Sequence, residues 1–182
     1  MVGGNAFAYE IKDQVPLSAT AFSPDDVILF NDIADVIIPR TDTPGAKDAN
    51  VGLMALILAN DCYAEAEKQA LIKGLVTVND LSQKQYNKPF LLLNNKQKIE
   101  FVTQLDKDAK TFNQQQKVFY VGTNPSGGGQ QVPHYFTLIK QLTLFSFFTS
   151  EIGSTKVLRY EAVPGKYNGE LDYKKGDRAW AT

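Results

Sequence analysis

The stretch that most restricts how this chain can fold runs over residues 135–160 and reads YFTLIKQLTLFSFFTSEIGSTKVLRY. Its first half carries Tyr135, Phe136, Leu138, Ile139, Leu142, Leu144, Phe145, Phe147 and Phe148. These fall at helical spacing and also fill the positions between, so a helix here is apolar most of the way round. Such a helix has no good solvent face and must be covered by the rest of the chain or by a partner. Lys140, Gln141, Thr143 and Ser146 interrupt the run. It therefore falls short of the roughly 18 apolar residues of a membrane span. Gly153 marks a bend or helix end, and the chain leaves through residues 156–159 into an extended tail.

Other helices are expected to wrap this one. Ser23 is a natural N-cap, Pro24 suits the first helical position, and Asp25 and Asp26 favour the positive end of the helix dipole. Phe22 and Val27 can close a hydrophobic staple. The helix buries Val27, Phe30, Ile33, Ala34 and Ile37 and stops before Pro39. After a loop over residues 40–46, a second helix spans 51–63, with Leu53, Met54, Leu56, Ile57, Leu58 and Cys62. A third spans about 64–78, with Leu71, Ile72, Leu75 and Val76 inside, and a short one is expected over 83–90. A fourth covers 95–112, with a stripe of Ile99, Phe101, Val102, Leu105, Ala109 and Phe112. The Gln-rich stretch 113–117 extends or breaks it, and 118–121 is at best an isolated strand.

Residues 122–133, GTNPSGGGQQVP, read as a flexible loop. No stretch alternates long enough for a sheet. The expected fold is all-α: one helical domain of about five or six helices around a buried central helix. Residues 1–21 form an N-terminal extended segment, 22–160 the helical domain, and 161–182 an extended aromatic tail.

Length and charge narrow the functional classes. A chain of 182 residues can bury one real core. A formal net charge of −1 gives no electrostatic case for nucleic acid or for an anionic membrane as a bulk partner. No run of Lys or Arg suggests a local basic patch. One cysteine and one histidine make an intrachain disulfide impossible and a structural zinc site improbable. The start, MVGGNAFAYE, has neither a charged n-region nor an apolar h-region, so no export signal is expected in the chain as given.

Candidate chemistry is sparse. A catalytic His134 would need a nucleophile or carboxylate brought to it; the favoured reading is a polar or N-capping role. Cys62 reads as a buried small hydrophobe, with an intermolecular disulfide as the alternative. Asp42 and Glu151 are the most suggestive carboxylates, and with His134 they could serve a free-standing ligand-binding or hydrolytic protein. The favoured reading has each holding a loop by accepting backbone N–H bonds. Gly127, Gly128 and Gly129 lack phosphate-loop spacing, and no Rossmann fingerprint occurs, so FAD or NAD binding by this chain is not expected.

In the tail, Pro164-Gly165, Asn168-Gly169 and Gly176-Asp177 are turn signals. Tyr160, Tyr167, Tyr173 and Trp180 lie between or beside them without a regular period. These aromatics must pack on the helical domain or insert into another protein. A homodimer that exchanges tails is a further alternative.

Two segments carry a family resemblance. LTLFSFFTSEIGSTKVLRYEAVPGKYNG, with DRAW near the end, resembles the C-terminal signature of the gluconate 2-dehydrogenase subunit 3 family. IADVIIPRTDTPGAKDANV resembles that family's other marked segment, and the two together frame residues 23–180. The resemblance implies a non-catalytic accessory subunit of a periplasmic sugar or polyol dehydrogenase. It implies FAD on a flavoprotein large subunit of the glucose–methanol–choline type and haem c on a cytochrome c subunit, with no cofactor in this chain. Family members often carry a twin-arginine translocation signal for the complex, which this sequence lacks. The residues expected at the partner interface are Thr41, Asp42, Thr43, Pro44 and Gly45 in the loop, and Phe148, Glu151, Arg159 and Tyr160 beyond the central helix. Pro164, Gly165, Tyr167, Arg178 and Trp180 complete the set in the tail.

Overall fold

The computed structural model describes residues 17–118, 131–163, 165, 169–172 and 174–181. The expected N-terminal segment lies outside the described residues apart from 17–21, which open with a short turn at Leu17–Ala19. So do most of the expected flexible loop, the strand positions 119–121, and the tail residues Pro164, Tyr167 and Tyr173.

Five α-helices account for most of the described chain: α1 Pro24–Ile37, α2 Val51–Cys62, α3 Glu65–Tyr86, α4 Asn95–Gln115 and α5 Tyr135–Phe148. The other four all pack against α5, which makes it the axis of the domain. Helix α1 begins as its residues dictate. Ser23 Oγ accepts from the Asp26 N–H at 3.2 Å while the Asp26 carboxylate accepts from the Ser23 N–H at 2.8 Å. This reciprocal box satisfies two amides that a helix start leaves unbonded. Asn94 caps α4 in the same way through Gln97. Phe30, Ile33 and Ala34 of α1 are fully buried, whereas Val27 and Ile37 pack at the core edge.

Helix α3 differs from expectation: it is one helix of 22 residues rather than two shorter ones. Nothing between residues 78 and 83 breaks a helix, and the stop comes at Asn87 in the left-handed conformation (φ 54°). Its inner face is Leu71, Gly74, Leu75 and Val78; Val76 points outward at 59% exposure. On α4, Phe101, Val102, Leu105 and Ala109 are buried but Ile99 and Phe112 are exposed. The Gln-rich stretch extends this helix to Gln115, and Lys117 at φ 53° turns the chain away.

Close approach explains two small residues. A Cβ on Gly52 would stand 2.7 Å from the Val27 carbonyl oxygen, and one on Gly74 would stand 2.4 Å from Tyr135 Cβ. Helices α1 and α2 therefore nearly touch, and the first residue of α5 lies flat on α3. Cys62 ends α2 exposed, not buried as its apolar helix suggested. The buried face of α2 is Val51, Gly52, Ala55, Leu56 and Ala59, one position out of phase with the larger side chains Leu53 and Met54.

Candidate functional site

The central helix orients its side chains against simple hydrophobic order. Thr143 and Ser146 face inward at 0% and 2% exposure, while Leu144, Phe145 and Phe148 face outward at 40%, 54% and 38%. Thr143 satisfies its hydroxyl by donating to the Ile139 carbonyl at 2.8 Å. The expected all-round burial of α5 is thus corrected to a broad buried face and an apolar stripe in contact with solvent. Interior packing sets this phase: Phe136, Leu138, Ile139, Leu142 and Phe147 are all at or below 1% exposure. Turning Leu144 and Phe145 inward would turn part of that set out.

His134 opens α5 as its N-cap. Its Nδ1 accepts from the Phe136 N–H at 3.2 Å, and its backbone N–H donates to Asn113 Oδ1 at 2.9 Å. Asn113 Nδ2 donates to Thr137 Oγ1 at 2.8 Å, which ties the end of α4 to the first turn of α5. The ring lies between Tyr135 and Phe112, at centroid distances of 4.2 and 5.4 Å. Burial lowers the His134 pKa, opposed by the Asp108 charge, and burial pushes the Tyr135 hydroxyl up to about 12. The capping role expected from sequence is the observed one.

Beyond α5 the chain winds through one wide turn at Gly153–Val157. Ser150 Oγ donates to the Phe147 carbonyl at 2.6 Å and accepts from the Gly153 N–H at 3.0 Å. A Cβ on Gly153 would fall 1.9 Å from that same carbonyl oxygen, so only glycine fits. The tail then doubles back instead of reaching away. Arg159 N–H donates to the Ala179 carbonyl at 2.8 Å, and Ala181 N–H donates to the Arg159 carbonyl at 2.9 Å. The Arg159 guanidinium stacks 4.1 Å from the Trp180 ring centroid, and Arg178 donates to the Lys156 carbonyl at 3.1 Å. Both arginines are thus engaged within the chain. Tyr160 (55%), Gly165 and Trp180 (41%) remain exposed around this closed loop.

The other family segment is braced by a carboxylate that sequence reasoning missed. Asp48 forms an ion pair with Arg40 and accepts from the Gly45 N–H at 2.7 Å. The Arg40 hydrogen bond and then the Gly45 N–H hold the Asp48 carboxyl below its usual range, and the same pair raises Arg40. Gly45 is buried, with no room for a Cβ beside the Arg40 nitrogen and the Ile38 carbonyl. It shapes the loop rather than offering a surface; Thr41 and Asp42 are exposed, and Thr43 and Pro44 half-buried.

Asp42 and Glu151 are exposed, and among the described residues neither carboxylate forms a hydrogen bond or ion pair. The loop-holding role expected for them belongs to Asp48 in the first segment and to Ser150 in the second. Among the described residues no contact joins either carboxylate to His134, whose ring is committed to its cap. The signal for Asp48 was its place three residues after Gly45, where an Asp closes a turn on a backbone amide.

A second missed carboxylate is Asp32, nearly buried in α1, which pairs with Lys47 at 3.3 Å and with Lys98. Lys98 also lies 5.7 Å from the Phe90 ring centroid, so this pair ties α4 to α1. Its cue was a carboxylate between Phe30 and Ile33 on an amphipathic helix. Among the described residues, no group of three or more His, Cys, Asp or Glu could hold a metal ion. No described helix is long and apolar enough to cross a membrane.

No curated protein and no solved structure matches the chain. The family model described as gluconate 2-dehydrogenase subunit 3 matches residues 24–165, which takes in α1, the Asp48-braced loop, α5 and the glycine-dependent turn. On that match, spanning well over half of its length, the chain belongs to the gluconate 2-dehydrogenase subunit 3 family.

Proposed function

We propose that this chain is a non-catalytic accessory subunit that stabilises a periplasmic, FAD-dependent sugar or gluconate dehydrogenase. The flavoprotein large subunit, of the glucose–methanol–choline type, holds FAD and takes hydride from the sugar. A cytochrome c subunit carries the electrons onward through haem c. In this reading, as the family resemblance implies, the complex crosses the inner membrane folded by the twin-arginine route, on a signal not found within residues 1–182.

The observation that carries the reading is the outward stripe Leu144–Phe145–Phe148 on a helix that hides Thr143 and Ser146. Contiguous apolar surface on a well-packed domain marks a place where another protein sits. The partner chosen is the flavoprotein, because the stripe and the turn after it fall within the family segment. Tyr160 and Trp180 add aromatic area held ready by the closed tail loop, which lowers the ordering cost of binding. Each aromatic, if fully desolvated, contributes on the order of 2 kcal/mol.

Co-expression with a glucose–methanol–choline-type flavoprotein dehydrogenase from the same genome, followed by size exclusion, tests the assignment. The wild-type chain is expected to elute with a flavin-containing partner, and Phe145→Ser/Phe148→Ser to weaken the complex by a hundredfold or more, a loss of about 3 kcal/mol. Removal of residues 160–182 is expected to do the same. A double variant that co-elutes at wild-type stoichiometry refutes the stripe as the interface.

A further inference from the structure

We propose that the turn joining α3 to α4 is a peripheral contact site for an anionic bilayer surface. A turn at Phe90–Leu92 lies at the end of the bundle where α3 stops and α4 starts. It exposes two adjacent leucines, Leu91 at 40% and Leu92 at 68%.

Their exposure does not come from a loose loop. Phe90 is fully buried, and its N–H donates to Asn79 Oδ1 at 3.2 Å. The buried Ser82 hydroxyl donates to the Lys88 carbonyl at 2.8 Å, and Leu93, 5% exposed, anchors the far side. Leu92 and Leu93 N–H groups close the turn on the Pro89 and Phe90 carbonyls at 3.0 and 3.1 Å. A braced backbone thus holds two apolar side chains out in water.

Charge identifies the occupant. From residue 81 to residue 99 the sequence has no Asp or Glu, in a chain that carries 20 of them. Lys84, Lys88 and Lys96 are exposed within this stretch, while Lys98 turns inward to Asp32. The bounding carboxylates are Asp80 and Glu100, the latter 4.0 Å from Lys96 on exposed side chains. Gln83, Gln85, Asn87 and Asn94 of the same stretch are neutral; helix α1 also packs on the turn, and its Asp32 is neutralised by Lys98 and Lys47.

The patch was invisible as a basic run because its lysines are spaced across the end of α3, the residues before the turn and the start of α4. A leucine tip flanked in the chain by exposed lysines suits a plane of anionic headgroups: the tip enters the acyl boundary and the cations stay at the phosphates. An acidic groove on another protein is the rival occupant, and it would have to match the shape of a protruding tip. A bilayer needs no such match. With no described helix able to span, the contact is shallow.

The test uses the full chain alone, so its result is independent of the flavoprotein reading. Vesicles of phosphatidylcholine with about a third phosphatidylglycerol are sedimented with the protein at low and at physiological salt. The expected result is binding to these vesicles, little to pure phosphatidylcholine, and weakening with salt. Lys84→Gln/Lys88→Gln/Lys96→Gln is expected to reduce partitioning by about a hundredfold at low salt, from roughly fivefold per lysine. Leu91→Gln/Leu92→Gln is expected to abolish it.

All five positions are exposed, and an unchanged circular dichroism spectrum and melting temperature exclude unfolding as the cause. Wild-type protein that ignores anionic vesicles overturns the proposal. So does binding that the leucine variant leaves intact. Loss of flavoprotein co-elution in these variants, without vesicle binding by the wild type, assigns the patch to the acidic-protein rival instead.

Discussion

Ser146 keeps a hydroxyl at 2% exposure with no hydrogen-bond partner among the described residues, four residues after Leu142 on a helix whose neighbours here are apolar. An unbonded buried hydroxyl opposes folding by its lost hydration. Ser146→Ala is therefore expected to leave stability unchanged or to raise it by about 1 kcal/mol, read by urea denaturation. A loss of more than about 1 kcal/mol would mean that the hydroxyl has a partner in solution. Single residues were also where the sequence was hardest to read. Ser23, Pro24 and His134 act locally, through amides two or three positions away, so their roles were legible without the fold. Asp48 could be missed because Asp42 stands in the more conspicuous loop sequence. Cys62 looked buried because helical periodicity over a uniformly apolar α2 does not say which face turns inward.

At the scale of the element, the start of α5 carries a titratable cap. The His134 pKa is lowered by burial, with Asp108 opposing, so the unfolded chain takes up the proton more readily than the folded one. Above the ordinary value of 6.5 both forms are neutral, and Nδ1 can accept from Phe136. As pH falls through the lowered folded value this contribution disappears, because a protonated Nδ1 donates and cannot cap. Stability measured from about pH 7.5 down to pH 5 is expected to decline more steeply in the wild type than in His134→Asn, which keeps a cap that does not titrate. The chain has one histidine, so the difference between the two curves belongs to this site. Parallel curves would show that the imidazole does not cap in solution. Helix positions were well anticipated wherever a cap or a proline punctuated them. The joined α3 escaped because a polar stretch without glycine or proline resembles a linker in composition and a helix in propensity.

The described chain is a bundle wrapped on α5, and its closure explains why the outward apolar stripe was not legible beforehand. A helix apolar on every side gives no clue to its phase; packing by α1, α2, α3 and α4 decides it. The tail shows the same limit, since the return of Trp180 to Arg159 depends on a turn whose geometry only Gly153 permits. The net charge of −1 provides little repulsion between copies, and the Leu144–Phe145–Phe148 stripe offers them an adhesive face. Light scattering on the isolated chain is accordingly expected to show an average mass that grows with concentration, while Phe145→Ser/Phe148→Ser stays monomeric. A wild-type chain that remains monomeric throughout would remove self-association from this account. Where the greasy ridge does govern solubility, synthesis has to be kept in proportion. On the proposed function, a cell making this polypeptide ahead of the flavoprotein would accumulate clumped orphans, so the two messages are best translated together.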